Sequence, residues 1–285
     1  MTDVQAFIPL RFEEEVRSHL VLNYAEHTHY PLILGIFGSP GSGKTFQLRT
    51  TLLNLGVSAR SISAADLESE RAGEPGKLVA TTYVLAAREI EKGTPTAIVI
   101  DDFDTTVGEW ENNTGTVNHQ QVVAQIMHLA DSPTYLEKVG TIRRVPIFLT
   151  GNDFSKLYTP LKRPGRMLSF YWTPNNDEVE TIAARILDFL PKDVLHSLIT
   201  EFSGVPISFF TEIRVRLLRE ACSQILERLG DNMQSIVSNP LRIRNYTLAS
   251  FNTEAIEPSR VFAVARQIVK VAETSDVAHL RIYNP

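Results

Sequence analysis

The stretch GSPGSGKT, Gly38 to Thr45, has the spacing glycine, four residues, then Gly-Lys-Thr, with the apolar run LILGIF before it and the helical pattern KTFQLRTTLLNL after it. A turn of this composition can close its backbone N–H groups around phosphates, because glycines put no side chain in the way. Gly38, Gly41 and Gly43 supply that freedom, and Ser39, Pro40, Ser42 and Phe46 complete the candidate nucleotide contacts. Lys44 is placed to reach β- and γ-phosphates as a point charge. Thr45 offers a hydroxyl to Mg²⁺, and the helix N-terminus adds partial positive charge. The pattern therefore predicts ATP and Mg²⁺ as ligands.

Phosphate chemistry at such a turn needs a second strand end that carries carboxylates. TAIVIDDFD supplies one, with an apolar strand running into Asp101 and Asp102. By position, Asp101 would bind Mg²⁺ through water and Asp102 would polarise the attacking water. FLTGND puts Asn152 at the tip of another strand, where its amide could orient that water. KRPGRM offers Arg163 and Arg166 around a Pro-Gly turn, able to reach a neighbouring subunit's γ-phosphate as arginine fingers.

These residues need a scaffold that brings several strand ends together. Apolar or alternating runs at LILGIF, VSARSIS, TAIVID, RVPIFLT and LSFYW read as five strands. Helical patterns cover RFEEEVRSHLVLNYAEH, Lys44 to Leu55, Lys77 to Glu91 and Val117 to Ala130, while DDFDTTVGEWENNTGT reads as a long polar loop. Strands alternating with helices through Trp172 indicate an α/β sheet with its site at the strands' carboxyl ends. From Pro174 onward only helical patterns remain, near NDEVETIAARILDFL, KDVLHSLITEF, ISFFTEIRVRLLREACSQILERL and EPSRVFAVARQIVKVAE. The expected domains are 1–173, with an N-terminal helix over 1–30 leading in, and 174–285, with a hinge near Trp172 to Asn175.

Composition narrows the partners. The 285 residues carry a net charge of −5, distributed as −6 before Ala184 (16 basic, 22 acidic residues) and +1 from it onward (12 basic, 11 acidic). No large basic field argues for nucleic acid. The single cysteine, Cys222, excludes an internal disulfide and reads as a buried structural thiol. The acidic start MTDVQAFIPLRFEEE is unlike a signal or transit sequence, and no apolar run reaches the length of a membrane span. A cytoplasmic protein is expected, in a cyanobacterial-type cytosol or with a carboxysome, or in the plastid stroma if a transit peptide has been removed.

Phosphate loop, carboxylate pair, polar strand tip, arginine pair and helical lid, in that order, resemble the AAA+ ATPases. A narrower likeness follows from longer strings. RVPIFLTGNDFSKLYTPLKRPGRMLSFYW resembles the sensor 1 and arginine-finger region of the Rubisco activase family, and LESERAGEPGKL and VNHQQVVAQIMHLADSP resemble its first pore loop and the helix after its second. ISFFTEIRVR resembles the sensor 2 stretch, which would carry Arg214 from the lid to the phosphates. The resemblance covers roughly Pro31 to Arg216. It implies a five-stranded parallel sheet of order 5-1-4-3-2 between helices, an all-α lid, and a ring, usually a hexamer, whose fingers complete a neighbour's site. It further implies ATP-driven remodelling of Rubisco with release of an inhibitory sugar phosphate. An activase-like ATPase with another client, or a nucleotide-controlled scaffold in carbon fixation, is the alternative, followed by a nucleic-acid machine. The family usually has Asn-Asp where this chain has Asp101-Asp102. Neither the plant N-terminal segment nor the cyanobacterial small-subunit-like extension is expected here. Leu67 in the first pore loop and Trp110 in the second are the side chains expected to meet a client.

Overall fold

Each apolar strand found in the sequence carries bulky side chains on alternating sides, so a sheet built from them must be covered on both faces. The computed structural model describes residues 7–67, 74–107, 117–229 and 256–274 together with position 238. Strands β1 (Ile33–Phe37), β2 (Ser58–Ile62), β3 (Thr96–Ile100), β6 (Ile147–Gly151) and β7 (Met167–Tyr171) form one sheet in the order β2-β3-β6-β1-β7. All four pairings are parallel. Counting only these five strands, the order is the expected 5-1-4-3-2 read from the opposite edge.

The two faces bury different residues of the same strands. Ile33, Ile98, Ile100, Ile147 and Leu149 pack with Val79 and Tyr83 of α4 (Glu74–Glu91) and Val122 and Ile126 of α6 (Val117–Asp131). Leu34, Ile36, Ala97, Val99 and Phe148 pack with Phe12, Val16 and Leu20 of α1 (Leu10–Tyr24) and Leu48 and Leu52 of α2 (Lys44–Asn54). Trp172 ends the strand region fully buried, with Phe12 edge-on to it at 4.9 Å and the Arg11 guanidinium over its ring. These contacts fix the last strand beside the phosphate loop.

Several local expectations are corrected. The expected loop after TAIVID begins with a short helix, α5 (Phe103–Val107), because Phe103 is fully buried and needs a core position. Helix α4 starts three residues before Lys77, with Pro75 in its first turn, where a missing N–H costs no intrahelical bond. Strand β6 starts at Ile147, since Pro146 has no N–H to give the ladder. A two-residue hairpin, β4 (Tyr135–Leu136) with β5 (Gly140–Thr141), was too short to register as periodicity. Leu67 ends the four-residue helix α3 (Ala64–Leu67) and is fully buried, so it cannot grip a client. Residues 68–73 of that loop and Trp110 lie outside the described residues.

The chain separates into two compact units, the first spanning Ile8–Thr173, and the described helical part of the second beginning after Pro174. In the second, α7 (Asn176–Ile186) opens with a capping box in which Asn175 and Glu178 exchange side-chain and backbone hydrogen bonds. Helices α8 (Lys192–Glu201), α9 (Ile207–Leu229) and α10 (Pro258–Thr274) bury Leu195, Leu198, Phe209, Phe210, Ile213, Val261, Val264 and Ile268 in a core of their own. Cys222 on α9 is only partly buried, contrary to expectation, because the apolar stripe of that helix turns past it. Among the described residues no helix is long and apolar enough to cross a membrane.

A buried polar knot ties the α1–β1 connection to the sheet. Arg144 donates from Nε to Asn23 Oδ1 at 2.7 Å, from Nη1 to the His27 carbonyl at 3.0 Å, and from Nη2 to the Tyr30 carbonyl. His19 lies under this knot, fully buried against the ring of Phe148 at 4.9 Å. Burial, reinforced by repulsion from Arg144, pushes its imidazole down to about 3 from 6.5. The unfolded chain takes up this proton near pH 6.5 and the folded chain only near 3. His19 therefore favours unfolding as pH falls from 6.5 towards 3, with a slope approaching about 1.4 kcal/mol per pH unit. Urea unfolding between pH 7 and 5 should show that loss in the wild type and a shallower one in His19→Gln.

Candidate nucleotide-binding site

The glycine-rich turn sits between β1 and α2, braced by the end of β7. Trp172 donates its backbone N–H to the Phe37 carbonyl at 2.7 Å and its indole N–H to the Ser42 carbonyl at 3.0 Å. Gly38 has φ 153°, and a Cβ there would lie 2.2 Å from the Trp172 carbonyl oxygen, so no other residue fits. Gly43 caps α2 in the left-handed region at φ 84°. No side chain caps α2, which leaves its first N–H groups available to an anion. Ser39 and Pro40 are exposed on the turn, and Phe46 projects from the first turn of α2 with 58% exposure.

Lys44 is the buried cation of the site. Its ammonium donates to the carbonyls of Gly38 at 2.8 Å and Ser39 at 2.9 Å and to Asn152 Oδ1 at 3.0 Å. Burial lowers its pKa, opposed by the carboxylates of Asp104 and Asp102. Asn152 therefore stands at the end of β6 against the phosphate loop, as the sequence placed it. The Thr45 hydroxyl is 3.4 Å from that of Thr150, which donates to Asp101 Oδ1 at 2.9 Å. Arg49, one helical turn after Thr45, holds Asp101 Oδ2 at 2.5 Å.

Asp102 adopts the left-handed conformation at φ 49°, uncommon outside glycine. Its backbone N–H donates to Thr150 Oγ1 at 3.3 Å. Desolvation, then repulsion from Asp101 and Asp104, pushes its carboxyl above the ordinary aspartate range, with Lys44 opposing. A carboxylate raised in this way is a better proton acceptor than a free one.

The donor set fits a triphosphate with a divalent cation. A buried ammonium and uncapped helix N–H groups would face phosphate oxygens, and a hydroxyl and a carboxylate linked through Thr150 offer hard oxygen ligands. Ser42 Oγ is buried without a hydrogen-bond partner among the described residues, so the turn retains unused polar capacity.

Asp104, Thr150 and Arg49 were not singled out in the sequence. Asp104 is almost wholly buried, and its Oδ2 accepts the backbone N–H groups of Asn152 at 2.9 Å and Asp153 at 2.8 Å. It thereby sets the strand tip that carries Asn152. The only prior signal was a third carboxylate in DDFD, three residues after Asp101.

The arginines separate into different situations. Arg166 is held within its own unit, bidentate to Asp131 at 2.6 and 2.7 Å and donating to the Pro160 carbonyl at 2.8 Å. Arg163, three residues earlier on the same turn, is exposed, and its guanidinium has no hydrogen-bond or ion-pair partner among the described residues. Arg214, in the second unit, pairs with Asp188 at 2.6 Å and with the Ile186 carbonyl.

A parallel sheet of this order with a phosphate loop and a paired carboxylate strand end defines a P-loop ATPase. The family model described as "ATPase family associated with various cellular activities (AAA)" matches residues 34–175. The chain is 36% identical over 284 residues to ribulose bisphosphate carboxylase/oxygenase activase of Anabaena sp. (strain CA / ATCC 33047), covering 95% of this chain and 68% of that protein. It is 36% identical over 249 residues to the chloroplastic activase of Cucumis sativus, covering 82% and 60%, and 37% identical over 234 residues to that of Vigna radiata var. radiata, covering 79% and 53%. The chain belongs to the Rubisco activase family of AAA+ ATPases. It spans between 53% and 68% of these relatives' lengths.

Replacing Asp104 by Ala strands two backbone N–H groups and frees the tip of β6. Unfolding of the first unit should become easier by about 1–3 kcal/mol. ATP hydrolysis should slow more than ATP binding weakens, which denaturant titration and steady-state kinetics would show.

Proposed function

We propose that this chain hydrolyses Mg²⁺·ATP to ADP and phosphate in a homo-oligomeric ring, a hexamer, and uses the cycle to remodel inhibited Rubisco so that a tightly bound sugar phosphate leaves. The observation that carries the reading is the convergence of Lys44, Asn152 and the Asp101–Asp102 pair on one phosphate loop. The relatives' printed names, activases of ribulose bisphosphate carboxylase/oxygenase, support the choice of client.

Lys44, released from its loop carbonyls, reaches β- and γ-phosphate oxygens, and the loop N–H groups surround them with the first turn of α2. Thr45 and Asp101 are the residues that would hold Mg²⁺, which when bound would supply charge neutralisation to the phosphates. Asn152 orients a water, and Asp102 accepts its proton as the water oxygen bonds to the γ-phosphorus and the bond to the bridging oxygen breaks. Phe46, exposed at the start of α2, is available to the base.

Arg163 is the group suited to act across a subunit seam, since it is exposed and its charge has no partner among the described residues of its own unit. Arg166 anchors the turn that presents it, through Asp131 on α6. The sensor 2 likeness assigns Arg214 to the phosphates as well; within the second unit it is paired with Asp188. Charge of this kind, aimed where it develops in the transition state, contributes a large part of phosphoryl-transfer catalysis. The join between the units narrows to Thr173 and Pro174, because Trp172 is fixed in the first and Asn175 caps α7 in the second. It is there that nucleotide state would act on the lid. The net charge of −5 gives nucleic acid no field to follow.

Inhibited Rubisco given this protein and ATP should recover carboxylation, and Lys44→Ala should remove the recovery together with at least about 99% of ATP hydrolysis. Vigorous hydrolysis beside unrelieved inhibition would assign the chain to another protein client within the same family.

A further inference from the structure

Both oxygens of Asp101 are engaged. Thr150 donates to Oδ1 at 2.9 Å, and Arg49 Nη2 donates to Oδ2 at 2.5 Å. The Asp101 side chain is 18% exposed and that of Arg49 is 49% exposed, so the guanidinium reaches the carboxylate from solvent. Arg49 lies four residues after Thr45 on α2, on the same helix face. The hydroxyl chain Thr45–Thr150–Asp101 puts the ion pair next to the oxygens that would take a divalent cation.

The charge balance gives this pair a task. Asp101, Asp102 and Asp104 follow one strand within four residues, and Lys44 is the ammonium buried beside them. A triphosphate entering that space without its cation meets strong repulsion. One guanidinium on Asp101 cancels the carboxylate linked to Thr45 through Thr150. The ion pair is also easy to open, since a half-exposed arginine recovers its hydration on leaving.

We propose that Arg49 is a built-in counter-ion that occupies Asp101 when no divalent cation is present and yields Oδ2 when one arrives. It lets nucleotide bind without metal, and it raises the Mg²⁺ concentration needed to fill the site. Arg49 is a positioning residue, acting through Asp101 rather than on phosphate. The inference rests on the Mg²⁺·ATP reading of the site given above.

The test is equilibrium binding of a fluorescent, non-hydrolysable ATP analogue to the full chain, first in EDTA and then across a Mg²⁺ titration. Arg49→Ala should weaken binding in EDTA about tenfold and lower the Mg²⁺ midpoint severalfold, opposite directions that general damage to the fold cannot produce. Arg49→Lys, which keeps a cation, should restore most of the binding in EDTA. In an Asp101→Asn background, Arg49→Ala should change neither quantity by more than about twofold. Equal binding in EDTA and an equal Mg²⁺ midpoint in wild type and Arg49→Ala would overturn the proposal, as would a loss that persists in the Asp101→Asn background. A wild type that binds the analogue neither with nor without Mg²⁺ would refute the nucleotide reading itself, and this inference with it.

Discussion

Lys44 donates to the carbonyls of Gly38 and Ser39 and to the side chain of Asn152, and these contacts join elements far apart in the chain. The two carbonyls keep the phosphate loop closed, while Asn152 ties that loop to the end of β6. An ammonium this deeply placed must be hydrogen-bonded on all sides or lose its charge. Three oxygens meet that requirement, each of them exchangeable for a phosphate oxygen. One adjacency of the sheet serves the same contact: β1 lies directly beside β6, which brings Lys44 to Asn152.

Around this ammonium the protomer carries more negative than positive charge. Asp102 and Asp104 oppose the lowering of the Lys44 pKa, and Asp101 is shared between Thr150 and Arg49. Such a site holds phosphates well only when further cations arrive. One is the divalent cation whose binding we assign to Thr45 and Asp101. Another, on the function proposed here, is a guanidinium from a neighbouring protomer, a role we assign to Arg163, which is exposed on its turn while Arg166 is anchored to Asp131.

Much of this was legible in the sequence because the phosphate loop is contiguous: eight residues specify a turn, a helix start and a cation. The three central strands were legible because their burial on both faces requires unbroken apolar runs, and the two edge strands, largely exposed, showed as an alternating or mixed run. What escaped depends on residues distant in sequence. Arg163 and Arg166 look alike until Asp131, 35 positions before Arg166, claims one of them. Asp104 reads as one more solvated carboxylate until the Asn152 and Asp153 amides fold onto it. Leu67 looked like a loop residue because its burial comes from helices around it and not from any local period. Arg49 belongs to no motif, and its partner Asp101 lies just past the end of β3, 52 positions on.

The central claim is that one phosphate site is assembled from Lys44 of one protomer and Arg163 of the next. Mixing two variants tests it most directly. Lys44→Ala lacks the first half of every site and Arg163→Ala lacks the second, so each alone should be nearly inactive in ATP hydrolysis. When the two are mixed and allowed to exchange subunits, some seams pair an intact Lys44 with an intact Arg163, and hydrolysis should rise well above the sum of the separate activities. A mixture as inactive as its components, or an Arg163→Ala protein that hydrolyses ATP at the wild-type rate, would contradict the account.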